Sequence, residues 1–127
     1  MTRRKETSTN SVNRTNLVSD CDLMHALYLI GGRWKLLIIG RLVAGRLRFT
    51  ELKEQMPGVT DRMLTLQLRE LERDGLIART LYAAVPPRVD YELTPLGSKL
   101  VPVCLQLQEW GTMHKQELGL LKPNATV

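Results

Sequence analysis

Apolar residues recur at helical spacing along most of this chain, and glycine follows nearly every such stretch. The pattern predicts four helices before Gly75, over residues 22–30, 34–44, 51–56 and 60–74. The second helix is apolar on almost every side, which is typical of a central core element. Thr50 is placed to cap the third helix, and Gly75 is placed to end the fourth in a left-handed conformation.

The periodicity changes after Gly75 from helix to strand. Residues 76–82 and 89–93 are predicted to be strands, and the two consecutive prolines between them stiffen the connecting loop. Thr94 and Pro95 then form an N-cap and first-turn pair for a last helix that runs to about residue 118. We therefore predict one continuous C-terminal helix after a β-hairpin.

The order of these elements predicts the fold class. A tight turn at Pro57-Gly58-Val59 joins the third and fourth helices, and a basic hairpin follows them. Two helices with a short turn followed by a hairpin indicate a DNA-reading unit. The expected fold is mainly α with a small β-hairpin wing, the winged helix-turn-helix.

The fourth helix carries the candidate DNA contacts. If Leu64, Leu68 and Leu71 face inward, the opposite side is mostly polar. The N-terminal part of such a helix reads the major groove, so the predicted contacts are Thr60, Asp61, Arg62, Thr65, Leu66 and Arg69. Each arginine could read guanine or hold a phosphate, and Leu66 could touch a thymine methyl group or be an ordinary exposed leucine.

Other candidate contacts follow from charge. The formal net charge is +5, but residues 1–19 hold four bases and one acid, so a net +3 lies there and +2 in the rest. Residues 23–50 contain five bases and no acid, which predicts a phosphate-facing stripe or simply a solvated basic face. The candidate phosphate contacts are Arg33, Lys35 and Arg48, and the candidate wing contact is Arg88.

The last helix has a narrow apolar seam. Its apolar positions are spaced 4, 3, 4 and 3 residues apart, at Leu96, Leu100, Val103, Leu107 and Trp110. This spacing is typical of pairing with another helix of a second copy, and packing onto the chain's own domain is the alternative. A small core also favours dimerisation, because it buries little surface alone.

The domain organisation follows from composition. Residues 1–19 are polar and basic and are predicted to be a disordered tail, residues 20–118 to be the winged domain, and residues 119–127 to be a flexible tail. Neither a signal peptide nor a membrane-length apolar run is apparent, so we expect a cytoplasmic protein without a membrane partner.

Several ordered motifs over residues 21–114 resemble one family, the HxlR-type winged helix-turn-helix regulators of the MarR-like superfamily. The motifs are Ile30-Gly31-Gly32-Arg33-Trp34, Arg48-Phe49-Thr50-Glu51-Leu52, Gly75-Leu76-Ile77 and Val85-Pro86-Pro87-Arg88-Val89-Asp90-Tyr91-Glu92-Leu93. The resemblance implies a homodimer through the first and last helices, with an interface of Leu23, Leu27, Leu100, Val103, Leu107 and Trp110. It also implies a major-groove role for the fourth helix, although Leu66 departs from the polar residue common there.

The resemblance also implies a role for Cys21, because relatives use a cysteine at this place as a thiol sensor of oxidants or electrophiles. A helix N-terminus favours the reactive thiolate, whereas Asp20 and Asp22 on either side oppose it. A purely structural Cys21 is the alternative. Cys104 is expected to be a buried, inert thiol, and a bridge between Cys21 and the partner's Cys104 stays open if those helices meet.

These features favour a homodimeric, sequence-specific transcriptional regulator that binds double-stranded DNA at a pseudo-palindromic operator. A winged-helix module that binds proteins without specific DNA binding is the alternative. His25 and His114 both lie on predicted helices, and no set of nucleophile, base and orienting group occurs at a recognisable spacing, so no enzyme is expected. Cysteine and histidine spacings predict no metal site, no cofactor is expected, and no residue pattern identifies a small-molecule effector.

Overall fold

Six helices and three strands occupy residues 21–120, which is the part of the chain that the computed structural model describes. The helices are α1 (Asp22–Ile30), α2 (Lys35–Arg41), α3 (Phe49–Glu54), α4 (Asp61–Arg73), α5 (Pro95–Ser98) and α6 (Val101–Glu117). The strands are β1 (Leu47–Arg48), β2 (Ile77–Tyr82) and β3 (Arg88–Leu93). They form one antiparallel sheet in the order β1-β3-β2, so the predicted mainly α fold with a hairpin wing is confirmed.

The core lies where α2, α3 and α4 meet the start of the wing. Its fully buried side chains include Ile38, Ile39, Leu52, Leu64, Leu68, Leu71 and Ile77. The three leucines of α4 are spaced by four and three residues, so burying them turns one side of this helix inward and the opposite side to solvent. The predicted inward stripe of the fourth helix is therefore confirmed.

Local capping fixes both ends of α4. The Thr60 side chain accepts a hydrogen bond from Met63 N at 3.1 Å, which satisfies a free donor of the first turn. At the other end Leu76 N donates to Leu71 O at 2.9 Å and Gly75 N donates to Glu72 O at 3.0 Å. These two bonds form a Schellman motif, which needs the left-handed conformation that Gly75 adopts at φ 81°.

The predicted bounds of the second and third helices are wrong. The second helix is shorter than predicted, because it begins at Lys35 and ends at Arg41. The third begins at Phe49 after an Arg48 N-cap, whose backbone N donates to Glu51 Oε1 at 2.8 Å, so Thr50 lies inside the helix rather than at its cap.

The last helix is divided into α5 and α6. A proline ring clashes with the carbonyl four residues earlier and provides no N–H, so Pro102 prevents one continuous helix from Pro95.

The ends of the described chain bear on the predicted domain boundaries. The predicted tail over residues 1–19 lies outside the described residues, as do residues 121–127. Gly119 and Leu120 close α6, since Gly119 has φ 67° and Leu120 N donates to Lys115 O at 2.7 Å. The cap of α6 therefore includes two residues that the sequence assigned to the C-terminal tail. Within residues 21–120 no helix has the length and apolar character to span a membrane.

The junction between α4, β2 and α5 is closely packed. Thr94 Oγ1 donates to Gly75 O at 2.6 Å and accepts from Gly97 N at 3.0 Å. A Cβ atom at Gly97 would lie 1.9 Å from the carbonyl oxygen of Leu76, far inside van der Waals contact. This position therefore requires glycine because of its neighbours rather than its φ angle.

We predict that Gly97→Ala lowers the free energy of unfolding by about 1–3 kcal/mol, because α5 must move away from Leu76. Urea unfolding at one fixed protein concentration measures the change. Gly40→Ala is the matched control, since an added Cβ meets nothing within 4 Å in α2 and should stabilise by about 0.5–1 kcal/mol. Equal stability of Gly97→Ala and the unmodified protein would contradict the close packing.

Candidate nucleic-acid interface

The exposed side of α4 gathers five of the six residues predicted to contact DNA. Together they line one shallow hollow of about 420 Å³, and we call this the α4 surface: Asp61, Arg62, Thr65, Leu66 and Arg69. The sixth, Thr60, lies at the N-cap, where its oxygen accepts the capping bond and its O–H is left to donate elsewhere. The structure therefore places five residues of the predicted fourth-helix set on a single face and the sixth at the N-cap of the same helix.

Charge on the α4 surface is predominantly positive. Across residues 21–120, neither Arg62 nor Arg69 makes an ion pair or a side-chain hydrogen bond. The carboxylate of Asp61 lies 2.7 Å from Lys53 Nζ, so the acid on this face has its own counter-charge from α3. Leu66 is 45% exposed, and its apolar side chain lies among these groups. Such a face offers two unpaired guanidinium groups and one apolar contact to a ligand.

The wing carries a polar network that the sequence did not predict. Arg88 is the first residue of β3, and its Nε and Nη2 donate to the Asp90 carboxylate at 2.9 and 3.0 Å. Asp90 is only 2% exposed, and the hydrogen bonds from Arg88 hold the pKa of Asp90 below its ordinary value. The same carboxylate raises the pKa of Arg88, whose guanidinium also lies 5.3 Å from the centre of the Tyr82 ring.

Arg46 completes this wing network. Its Nη2 lies 3.1 Å from Glu92 Oε2, its Nη1 lies 4.0 Å from Asp90 Oδ2, and Nη1 also donates to the Tyr82 hydroxyl. Two arginines thus face two carboxylates, so the network is close to electrically neutral. Arg88 keeps three of its five N–H donors for other partners, but its charge is compensated.

The predicted phosphate contacts fall into different environments. Lys35 is a correction, because it is only 7% exposed and its Nζ lies 2.7 Å from Glu70 Oε1, where it joins α2 to α4. Arg33 is exposed and its guanidinium lies 5.2 Å from the centre of the Trp34 ring. Arg48 is exposed and lines a hollow of about 540 Å³ between the wing loop and the start of α3, together with Arg88.

One exposed arginine near the α4 surface was missed by sequence reasoning. Arg79 lies on β2 and lines a second hollow, of about 320 Å³, with Thr65 and Arg69. Strand alternation could have identified it. Arg79 follows the buried Ile77 by two residues, so its side chain lies on the same face of the sheet as Ile77.

The predicted dimer residues are mostly exposed. Leu23 is 68% and Trp110 is 61% exposed, and Leu27, Val103 and Leu107 are also open to solvent. Leu100 differs, because it is half-buried against the chain's own core with Cys104, on the side of α6 that contacts α2. The α6 helix therefore has one face in the core and an adjacent apolar face without cover among the described residues.

The two cysteines differ in environment. Cys21 is exposed and occupies the N-cap of α1, where its carbonyl accepts a hydrogen bond from His25 N at 2.9 Å. Cys104 Sγ lies 3.7 Å from Leu36 O, and burial raises the pKa of this thiol. Cys104 is therefore the less reactive thiol. No group of three metal-ligating side chains occurs within residues 21–120.

Known proteins are similar to this chain in sequence and in fold. The HxlR-like helix-turn-helix family model matches residues 29–118. The HTH-type transcriptional regulator YdeP of Bacillus subtilis is 46% identical over 102 residues, which cover 80% of each chain.

Two solved structures of regulators are similar to this chain. The redox regulator HypR in its reduced form has a TM-score of 0.73 and 43% identity, over 79% of this chain and 99% of its own. Reduced YodB of B. subtilis, a transcriptional regulator, has a TM-score of 0.64 and 36% identity, over 71% of this chain and 88% of its own. With a family model over most of its length and a close relative over four fifths of it, the chain belongs to the HxlR-like helix-turn-helix family of transcriptional regulators.

Proposed function

We propose that this regulator acts in the cytoplasm as a homodimer that reads a pseudo-palindromic operator through the α4 surface. The observation that carries the proposal is the pair of exposed arginines without a charge partner, Arg62 and Arg69, on a helix whose opposite side is fixed in the core. Free guanidinium groups on the exposed side of such a helix suit phosphates and guanine edges, with Arg62 in its first turn and Arg69 just past its midpoint. We assign the protein no catalytic activity.

The spacing of the two arginines fits a DNA groove. They lie seven residues apart, which is two helical turns and about 10 Å along the axis. This distance matches the rise of about three base pairs. Thr65 and Leu66 lie between them on the same face, so we propose that this central pair touches base edges, with Leu66 against a thymine methyl group.

The wing is the second proposed DNA contact. Arg88 lines the hollow shared with Arg48 and the proline loop, beside the start of α3. We propose that a backbone phosphate lies there and is contacted by Arg48 and by the donors that Arg88 does not use for Asp90. Asp90 then holds Arg88 in position and offsets its charge.

We predict that Arg62→Ala or Arg69→Ala weakens operator binding about tenfold or more, because each removes a direct contact. Fluorescence anisotropy at physiological salt, with the duplex from upstream of the protein's own gene and a scrambled duplex, measures the effect. Arg73→Ala is the matched control, since Arg73 lies at the end of α4 and already pairs with Asp74 at 3.1 Å.

The winged-helix interaction module makes the opposite prediction. Such a module would bind the upstream and scrambled duplexes with equal, micromolar affinity, and neither arginine substitution would change that binding. Equal binding with unchanged variants would therefore refute sequence-specific recognition by α4.

Dimerisation is proposed from the uncovered apolar faces of α1 and α6. Large apolar side chains open to solvent mark interaction surfaces when they are contiguous. On α6 the exposed Val103, Leu107 and Trp110 follow the predicted seam, and on α1 the exposed Leu23 and Leu27 lie one turn apart. We propose that a second copy covers both helices and places two α4 surfaces about one DNA turn, roughly 34 Å, apart.

We predict that Trp110→Glu shifts the protein from dimer to monomer, because a carboxylate would have to be buried in the interface. Large aromatic anchors contribute about 2 kcal/mol or more to such interfaces. Sedimentation velocity over a concentration series measures the shift. Leu81→Glu on the wing is the control, because Leu81 is equally exposed but lies on neither helix. A monomeric unmodified protein at micromolar concentration would refute the proposal.

A second candidate function is thiol sensing at Cys21. It is favoured by the exposed Cys21 thiol at the start of α1 and by similarity to HypR, which is described as a redox regulator. A quinone would form a carbon–sulfur bond with Cys21, and the thiol proton would pass to a quinone oxygen. The adduct would lie beside the proposed α1 interface and so could change the spacing of the two α4 surfaces.

We predict that p-benzoquinone weakens operator binding by the unmodified protein and by Cys104→Ser, but not by Cys21→Ser. The reason is that the Cys21 thiol is exposed, whereas Cys104 is half-buried. Anisotropy with and without the quinone measures binding, and intact-mass analysis reports the adduct. If the protein is fully modified at Cys21 and its operator binding is unchanged, Cys21 is not a sensor and has a structural role only.

A further inference from the structure

Arg79 occupies a boundary on the sheet. On β2 the side chains of Ile77, Arg79 and Leu81 share one face, and they change from buried at Ile77 to exposed at the other two. The α4 helix packs against this strand, and Ile77 lies in the same core cluster as the three α4 leucines. Arg79 therefore lies where the packed part of the face ends and the open part begins.

The hollow beside Arg79 is an extension of the α4 surface. It is lined by Thr65, Arg69, Glu72, Arg79 and Tyr91, and its volume is about 320 Å³. Thr65 and Arg69 also line the hollow of the α4 surface, so the two hollows meet at these side chains. A strand that follows α4 in the chain thus adds a residue to the proposed DNA-reading face.

Charge at this second hollow is not compensated by pairing. Glu72 lines the hollow, yet neither Arg69 nor Arg79 forms an ion pair with it or with any other acid in residues 21–120. The contrast is the wing network, where Arg46 and Arg88 face Asp90 and Glu92 and the charges cancel. Of the arginines on the β2–β3 hairpin, Arg79 is the one with its charge unpaired.

We propose that Arg79 and Arg69 together hold one DNA backbone phosphate at this hollow. The contact is made from the body of the wing, at β2, in addition to the wing tip. A phosphodiester between two guanidinium groups gains two charge-assisted interactions and does not depend on base identity. This inference rests on the proposed operator binding.

The test is the salt dependence of DNA binding by Arg79→Ala. Each phosphate contact contributes about 0.9 to the slope of log K against log salt, so losing one should lower the slope by about that amount. Affinity near 0.1 M salt should fall roughly tenfold, equally on the upstream duplex and on its scrambled counterpart. A residue that only supported the fold would not produce a uniform loss together with a reduced slope.

Three further variants complete the experiment. Arg79→Lys keeps the charge and should recover the slope, which also guards against misfolding of Arg79→Ala. Glu72→Gln should strengthen binding a few-fold at an unchanged slope, because it removes a repulsive acid without adding a phosphate contact. Arg73→Ala again serves as the control and should leave both quantities unchanged.

Two results would overturn the inference, and they differ from failure of the proposed function. An unchanged slope for a folded Arg79→Ala would show that Arg79 does not contact a phosphate. A loss confined to the upstream duplex would show that it reads bases instead. If the unmodified protein itself does not prefer the upstream duplex, the proposed operator binding fails, whatever Arg79 does on the scrambled duplex.

Discussion

Burial of Leu64, Leu68 and Leu71 sets the rotation of α4 about its axis, and the whole functional surface depends on that rotation. Successive residues of a helix are about 100° apart around its axis. A rotation that moved the buried positions one residue later would therefore bury the guanidinium group of Arg69. The ion pair of Lys35 with Glu70 holds the same rotation from the flank, since it ties α2 to α4 at 2.7 Å. Capping at both ends then sets where the helix begins and where it ends.

The periodicity predicted these features because they are local. The leucine stripe, the Gly75 end and the Thr94 N-cap each depend on residues within about two turns, and all three occur in the structure. The break in the last helix was just as local, because Pro102 was visible in the sequence. The apolar seam spans this break and by itself indicates one continuous helix, so the seam and the proline lead to opposite predictions.

Charge partners could not be predicted in the same way. The pair Lys35 and Glu70 lie far apart in the sequence, so only the packing of α2 on α4 reveals that this lysine is not a surface cation. Arg88 is a different case, because its partner Asp90 lies only two residues later on the same face of β3, so strand alternation alone could have indicated this pair. Five bases without an acid in residues 23–50 indicated an open basic stripe, but the acids came from other parts of the chain.

The cations of the described chain fall into two groups, those that form ion pairs within the fold and those that have no acid partner. Paired cations hold elements together: Lys35 joins two helices, Lys53 joins α3 to the start of α4, and Arg46 and Arg88 hold the wing. Three unpaired cations, Arg62, Arg69 and Arg79, meet on one continuous surface, and Arg48 lies apart from them beside the wing loop. An arginine without a partner can use its whole charge and all its N–H donors to bind an external anion. A paired arginine must first give up the carboxylate that it already binds. The electrostatic part of DNA binding should therefore be concentrated on α4 and the adjoining face of β2, and the wing tip should contribute mainly position and shape.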